Sequence, residues 1–362
     1  MQALKALIAV SPATALAVGG AIIGLLFGAI VSRTNYCTMG AITDWRLTGD
    51  KGRLGAVALA AATAITGAQC LDAYGVVELS KSMYLAPRIN WAGALGGGLL
   101  FGYGMVYAGG CPSRTLIRAG GGDVRGLVSL AVMAIAAYAT ISGVLAGARV
   151  ALENATAIDV KAFGAPTQHL GELLYRAHVT ASPASLIALL AVLIPLLAFA
   201  AGPARVFSRG INIAGGLAVG GLAIAGWALT GLASDEFAAS PLQPVSLSFV
   251  RPVADTIDWI ERSTALGMPG FGVTSVLGVL AGASLAAWLS GSFRLIGYSD
   301  RRDAIRHVAG AAAMGIGGVM ALGCTIGQGV SGLSTLSVQS LIACAAIVAG
   351  AVIGLQRLEK SL

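Results

Sequence analysis

The sequence predicts an all-α polytopic membrane protein, with about nine transmembrane helices and four short central re-entrant helices in an inverted internal repeat of hourglass shape. Three observations carry that expectation. Hydrophobic residues make up 56% of the 362, charged residues only 11%, and mean hydropathy is +0.82; a soluble globular chain carries about 25% charged residues. Nine apolar stretches approach the roughly 20 residues that a bilayer requires. A ten-residue pattern ending in cysteine recurs along the chain.

The nine stretches are 13–31, 53–72, 91–109, 124–148, 182–201, 211–230, 271–290, 304–322 and 337–356. None alternates with period two, so strands are excluded. With the N-terminus outside and the C-terminus inside, 15 of the 23 Lys and Arg lie in inside segments. That bias sets the orientation. Connections 149–181 and 233–263 then lie outside and are long. Residues 1–362 read as a single integral membrane domain, with a first half at 13–148, a linking helix at 182–201 and a second half at 211–356. One helix between two four-span halves inverts the second relative to the first, an arrangement found in transporters with a site near the midplane.

Several function classes drop out. The net charge of +7 comes from residues scattered over short loops, which fits membrane topology and excludes a nucleic-acid partner. The apolar run within Met1–Val31 joins the repeated motif, so it reads as a span and not a cleaved signal. Five cysteines, an odd number without ligand spacing, form neither a disulfide framework nor a metal site. His169, His178 and His307 fall in loops or near interfaces without ligand spacing. No metal or other cofactor is expected.

The repeat is the informative feature. Gly102–Cys111 (GYGMVYAGGC) and Gly315–Cys324 (GIGGVMALGC) share six of ten positions. Gly28 precedes Cys37 by the same nine residues, and CTMG after it parallels CTIG at Cys324. A degenerate fourth copy runs from Gly221 to Thr230, with threonine in the cysteine position. In the assigned orientation the first two units enter from inside and the other two from outside. Irregular backbone at membrane depth is tolerated where it is buried in protein or lines a cavity, so the four units are expected to line a central path.

After each cysteine a short helix can restart, with Thr38, Pro112 or Thr325 first. Helix N-termini present free N–H groups and a partial positive charge, which suits an anion. No Asp or Glu lies mid-span. Serine would serve an oxyanion better than cysteine, because a thiol is a weak donor; thiols suit a ligand with a soft sulfur. Asn35, Thr38, Thr325 and Gln328 can bond such an anion's oxygens or equally satisfy broken-helix backbone. Arg114 and Arg118, four apart, can hold an anion at the inner mouth, although a positive-inside anchor is the stronger reading. Trp227 and Thr230 can wall the path, with packing the stronger reading. Cys70 and Cys344 read as small core residues.

The motifs TNYCTMGAI at 34–42, GGCPSR at 109–114 and GCTIGQG at 323–329 resemble the YeeE/YedE family of sulfur-compound transporters. The resemblance implies thiosulfate uptake across the bacterial cytoplasmic membrane through nine spanning helices and an hourglass of short central helices. It implies functional roles for Cys37, Cys111 and Cys324, whose thiols pass the terminal sulfur by S–H···S hydrogen bonds. It also implies a possible cytoplasmic partner, a TusA-like sulfurtransferase, and leaves selenium compounds or other small sulfur anions as alternative substrates. An enzyme reading stands beside it, a membrane sulfurtransferase forming a cysteine persulfide, though no acid or histidine neighbours the cysteines in sequence.

Overall fold

The computed structural model describes residues 11–176, 181–234 and 242–360. His178 lies outside that range. The helices are α1 (Pro12–Thr34), α2 (Thr38–Thr48), α3 (Gly52–Ala73), α4 (Trp91–Tyr107), α5 (Pro112–Gly120), α6 (Val124–Ile141), α7 (Ala146–Thr156), α8 (Leu170–Arg176), α9 (Ala181–Ala201), α10 (Gly210–Ala233), α11 (Val250–Leu266), α12 (Phe271–Leu289), α13 (Arg301–Met320) and α14 (Val338–Glu359). A π-helical segment, Gly327–Gly332, lies between the last two. The strands are a two-residue antiparallel pair, Arg88–Ile89 with Ile158–Asp159.

The helix starts follow their sequences. Pro12 opens α1 in the position where its missing N–H costs nothing. Asn90, Asp123 and Asp300 accept from N–H groups of the first turns of α4, α6 and α13, at 2.7–3.0 Å. Every predicted span holds one long helix. Seven helices among the described residues are long and apolar enough to cross a bilayer, which makes this an integral membrane protein. The other two, α4 and α13, miss for separate reasons. The first has 17 residues, and the second opens with Arg301, Arg302, Asp303 and Arg306. They pack on each other through Gly97, Gly104, Gly310 and Gly317, close backbone contact of the kind small residues permit in lipid.

One expectation needs correction. The span predicted at 124–148 ends at Ile141, after which Gly143 turns the chain into α7. There Arg149 bonds Glu153 at 2.7 Å and caps the carbonyl of Thr140. The long connections 149–181 and 233–263 carry α8 and most of α7 and α11.

The packing is paired. The α1 helix lies on α12 as α10 lies on α3, and α4 lies on α14 as α13 lies on α6. The short elements follow suit: α2 contacts α3 and α14, and α11 contacts α12 and α6. The α9 helix stands outside this scheme, against α3 and α8. Each major pair meets at a glycine. A Cβ on Gly28, Gly102 or Gly315 would strike the carbonyl of Val279, Ile347 or Met133 on the partner helix. These are the glycines nine residues before the three cysteines. In α10 the matching residue is Gly220, whose Cβ would lie 2.7 Å from the Ala60 carbonyl oxygen, whereas Gly221 faces open space.

Candidate functional site

Each of the three repeated cysteines stands immediately before a short helical element. The turn that delivers it is the same: the residue two before the cysteine has positive φ, in Asn35 (52°), Gly109 (71°) and Leu322 (56°). In two copies the hydrogen bonds also coincide. Gly110 N–H reaches back to Met105 O at 2.9 Å, and Gly323 N–H to Gly318 O at 2.8 Å. This six-to-one closure ends a helix by the Schellman pattern. Next follow Cys111, in extended backbone, and Cys324, each immediately before helix resumes.

The sulfurs then act as caps. Cys37 Sγ accepts from Gly40 N–H at 3.4 Å, and Cys324 Sγ from Gly327 N–H at 3.3 Å. Cys111 Sγ lies 3.2 Å from Ser113 Oγ. A thiol that accepts from an N–H keeps its own proton to donate elsewhere. All three are buried, at 5%, 1% and 0% exposure, and unoxidised. The structure brings Cys37 and Cys111 within mutual hydrogen-bonding range. Thr325, next to Cys324, stands beside the Cys111 thiol, while the Phe249 N–H points at the Cys324 sulfur. Elements from both halves of the chain therefore meet at one place. Cys70 is exposed, and Cys344 is half-buried against Leu333 and Leu336.

The fourth element differs from expectation. Thr230 is inside α10, its hydroxyl donating to Val245 O at 2.7 Å. It caps no helix. Residues 242–249, outside any helix or strand, are held by Thr230 on Val245 O, by Ser246 on Ala223 O and by Ser331 on Leu247 O. The packing equivalent of the short helix α2 is α11, and the residue before it is Phe249. A fully buried phenyl ring, 5.1 Å from that of Phe27, thus occupies the fourth cap position. Nothing in 242–249 resembles the glycine motif, so sequence spacing did not reach it.

The supporting candidates divide. Asn35 offers its carbonyl to Arg53 at 2.8 Å and its Oδ1 to Arg114 at 3.4 Å. Thr38 is buried in the first turn of α2. Thr325 Oγ1 has no well-aligned partner. Gln328 gives its amide N–H to Ala321 O and leaves Oε1 unpartnered. Arg118 is engaged in structure. It bridges Asp123 at 2.7 Å and donates to the carbonyls of Ala108 and Gly109. Arg114 makes one long hydrogen bond, to Asn35, and lies within electrostatic reach of the Cys37 thiol. Trp227 is fully buried, donating to Ser334 Oγ at 2.9 Å with its edge to Tyr84, so it packs behind the π-helical segment.

At the start of α6, burial acts to raise the Asp123 carboxyl, but hydrogen bonds from Arg125 and Arg118 outweigh it and hold the group below the usual carboxylate range. His307 bonds Asp303 at 3.1 Å in the same network. In the connection before α8, burial lowers His169, whose Nδ1 accepts from Gly171 N–H.

Comparison with known proteins agrees over nearly the whole chain. A family model described as sulphur transport matches residues 33–353. The chain is similar to the thiosulfate transporter TsuA of Escherichia coli (strain K12), 24% identical over 340 residues that cover 91% of each protein. It is 25% identical over 333 residues to the thiosulfate transporter TsuA of Spirochaeta thermophila, covering 91% of this chain and 96% of the relative. A shorter likeness, 35% over 103 residues, covers 28% of this chain and 23% of a probable transporter, YedE, of Escherichia coli.

Proposed function

Because the chain belongs to the sulphur-transport family, we propose that it takes up thiosulfate across the bacterial cytoplasmic membrane, through a central path lined by Cys37, Cys111 and Cys324. The observation that carries this reading is the meeting of three buried, free thiols, two of them side by side, at the heads of short helices from both halves of the chain. A thiol can donate its S–H to the terminal sulfur of thiosulfate, and the neighbouring thiol can donate its own S–H to that sulfur in turn, so the anion passes between them. Free N–H groups at the helix heads suit the sulfonate end.

In this reading the two halves are an inverted repeat, with the N-terminus outside, the C-terminus inside and a central constriction. The glycine-mediated pairing of α1 with α12, α10 with α3, α4 with α14 and α13 with α6 supports it. A dianion moving inward against 100 mV faces roughly 4.6 kcal/mol, so consumption on the inner side or a concentration gradient must drive it. A cytoplasmic TusA-like sulfurtransferase, taking the sulfane sulfur as it arrives, supplies such a sink.

The test is uptake of sulfane-labelled thiosulfate into cells lacking other importers, with Cys37→Ser, Cys111→Ser, Cys324→Ser and the control Cys344→Ser at equal membrane abundance. Loss in the first three with retention in the control is expected. Normal uptake in all four removes the thiols from the mechanism. Intact mass after exposure to thiosulfate separates passage from group transfer: a gain of one sulfur atom on Cys111, with release of sulfite, establishes a persulfide instead of hydrogen-bonded transit.

A further inference from the structure

Tyr36 stands one residue before Cys37, where the other two copies have Gly110 and Gly323. A side chain there departs from the repeat. It is 5% exposed, and its hydroxyl oxygen has no hydrogen-bond partner. That hydroxyl lies within electrostatic reach of both the Cys111 and Cys37 thiols. Thr325, 4% exposed and contributed by the opposite half of the chain, brings a second hydroxyl to Cys111, its oxygen without a well-aligned partner. A buried hydroxyl without a partner carries an uncompensated desolvation cost, and such groups in native structures call for a reason. For Tyr36, set beside a thiol pair and a second hydroxyl, a bound anion supplies that reason.

We infer that Tyr36 is a substrate-binding residue of the inner thiol pair, donating its hydroxyl to an oxygen of an anion whose terminal sulfur the Cys37 and Cys111 thiols hold, with Thr325 engaging a second oxygen. The inference rests on the thiosulfate reading and deepens it. The two ends of such an anion are one bond apart, so thiols and hydroxyls must crowd the same few ångströms, as they do here. The arrangement selects for an ion carrying both a soft sulfur and hard oxygens. Hydrosulfide lacks an oxygen for Tyr36, and sulfate lacks a terminal sulfur for the thiols.

The test is Tyr36→Phe, which keeps the ring and removes only the orphaned oxygen. Tyr298→Phe serves as control, because Tyr298 also has a buried unpartnered hydroxyl but lies in the loop before α13, next to His307. Purified full-length protein is compared for thermal unfolding with and without thiosulfate, and cells for thiosulfate uptake across concentrations. For Tyr36→Phe the ligand-free melting point is expected to hold or rise, the thiosulfate-induced shift to shrink, and the apparent KM to rise tenfold or more. Tyr298→Phe is expected to leave ligand response and KM unchanged. Equal KM and equal ligand shift in Tyr36→Phe and wild type would overturn the assignment. So would a lowered ligand-free melting point with an unchanged KM, which marks a structural hydroxyl. If the wild type itself neither binds nor takes up thiosulfate, the transport reading fails and the Tyr36 assignment falls with it.

Discussion

Replacing Gly220 and Gly221 by alanine, one at a time, gives neighbouring substitutions with opposite expected outcomes. A Cβ on Gly220 would lie 2.7 Å from both the Ala60 carbonyl oxygen and the Thr63 Cβ. Ordinary contacts at such positions are several tenths of an ångström longer, so α10 and α3 would have to separate. Overpacking of this kind costs about 1–3 kcal/mol. Alanine recovers roughly 0.5–1 kcal/mol of helix propensity in return, which leaves Gly220→Ala destabilising by about 1–2 kcal/mol. Gly221 has nothing within 4 Å, so Gly221→Ala keeps the propensity gain and is stabilising by up to about 1 kcal/mol. The assay is thermal unfolding of the detergent-solubilised protein followed by size exclusion, with both variants at matched concentration. Equal shifts for the two, or a larger loss at Gly221, would refute the assignment of Gly220 as the α10 counterpart of Gly28, Gly102 and Gly315.

Three further outcomes follow from the site. Gly109→Ala places a side chain at a φ of 71° and 2.9 Å from Arg118 Nη1, and should cost about 1–2 kcal/mol; Leu322→Gly, at the same position of the second turn, relieves similar strain while losing a half-buried side chain and should stay within about 1 kcal/mol of wild type by thermal unfolding. Asp123→Asn leaves Arg118 and Arg125 without their carboxylate and should destabilise by roughly 1–3 kcal/mol. Because the folded carboxyl is held below its ordinary value, the wild-type advantage is full above about pH 4 and disappears as pH falls through the depressed folded value; a constant difference down to acid pH would count against the pairing. Phe249→Ala removes a fully buried ring packed on Phe27 and should cost about 3–5 kcal/mol, measurable as loss of monodisperse protein on mild heating.

Much of the architecture was legible because lipid enforces it. Spans need about 20 apolar residues, and all nine predicted stretches are helical. Two of the four caps were legible because a tight turn leaves a glycine signature, at Gly109–Gly110 and at Gly323; Cys37, preceded by Asn35 and Tyr36, was legible from its interval to Gly28 and from CTMG. The fourth was not, for a physical reason. Residues 242–249 lie outside any helix or strand and are held by hydroxyl-to-carbonyl bonds from Thr230 and Ser331. Such bonds reach backbone carbonyls, which every residue has, so they write no spacing into the sequence. The search for a nine-residue interval therefore settled on Thr230 and on Gly221, one residue from the glycine that packs. The partner of Arg118 was not legible from its spacing to Arg114, because Asp123 lies five residues on, in the next cap.

The π-helical segment adds an argument that links the fold to the site. From Cys111 to the capping residue Asp123 is 12 positions, and from Cys324 to the capping residue Ser337 is 13. The second short element is thus one residue longer between equivalent ends, and a π turn is how a helix absorbs a single inserted residue. The insertion leaves both caps in place, with Cys324 still accepting from Gly327 N–H and Ser337 still heading α14. What changes is the face that the middle of the element presents. Gln328 turns its amide back onto Ala321 O, and Ser331 and Ser334 reach Leu247 O and Trp227. The surplus residue therefore lets the second short element hold residues 245–247 beside the Phe249 cap, where the first packs helix on helix. The two halves are unequal for that reason: the first contributes two thiols and Tyr36, the second one thiol and a phenyl ring.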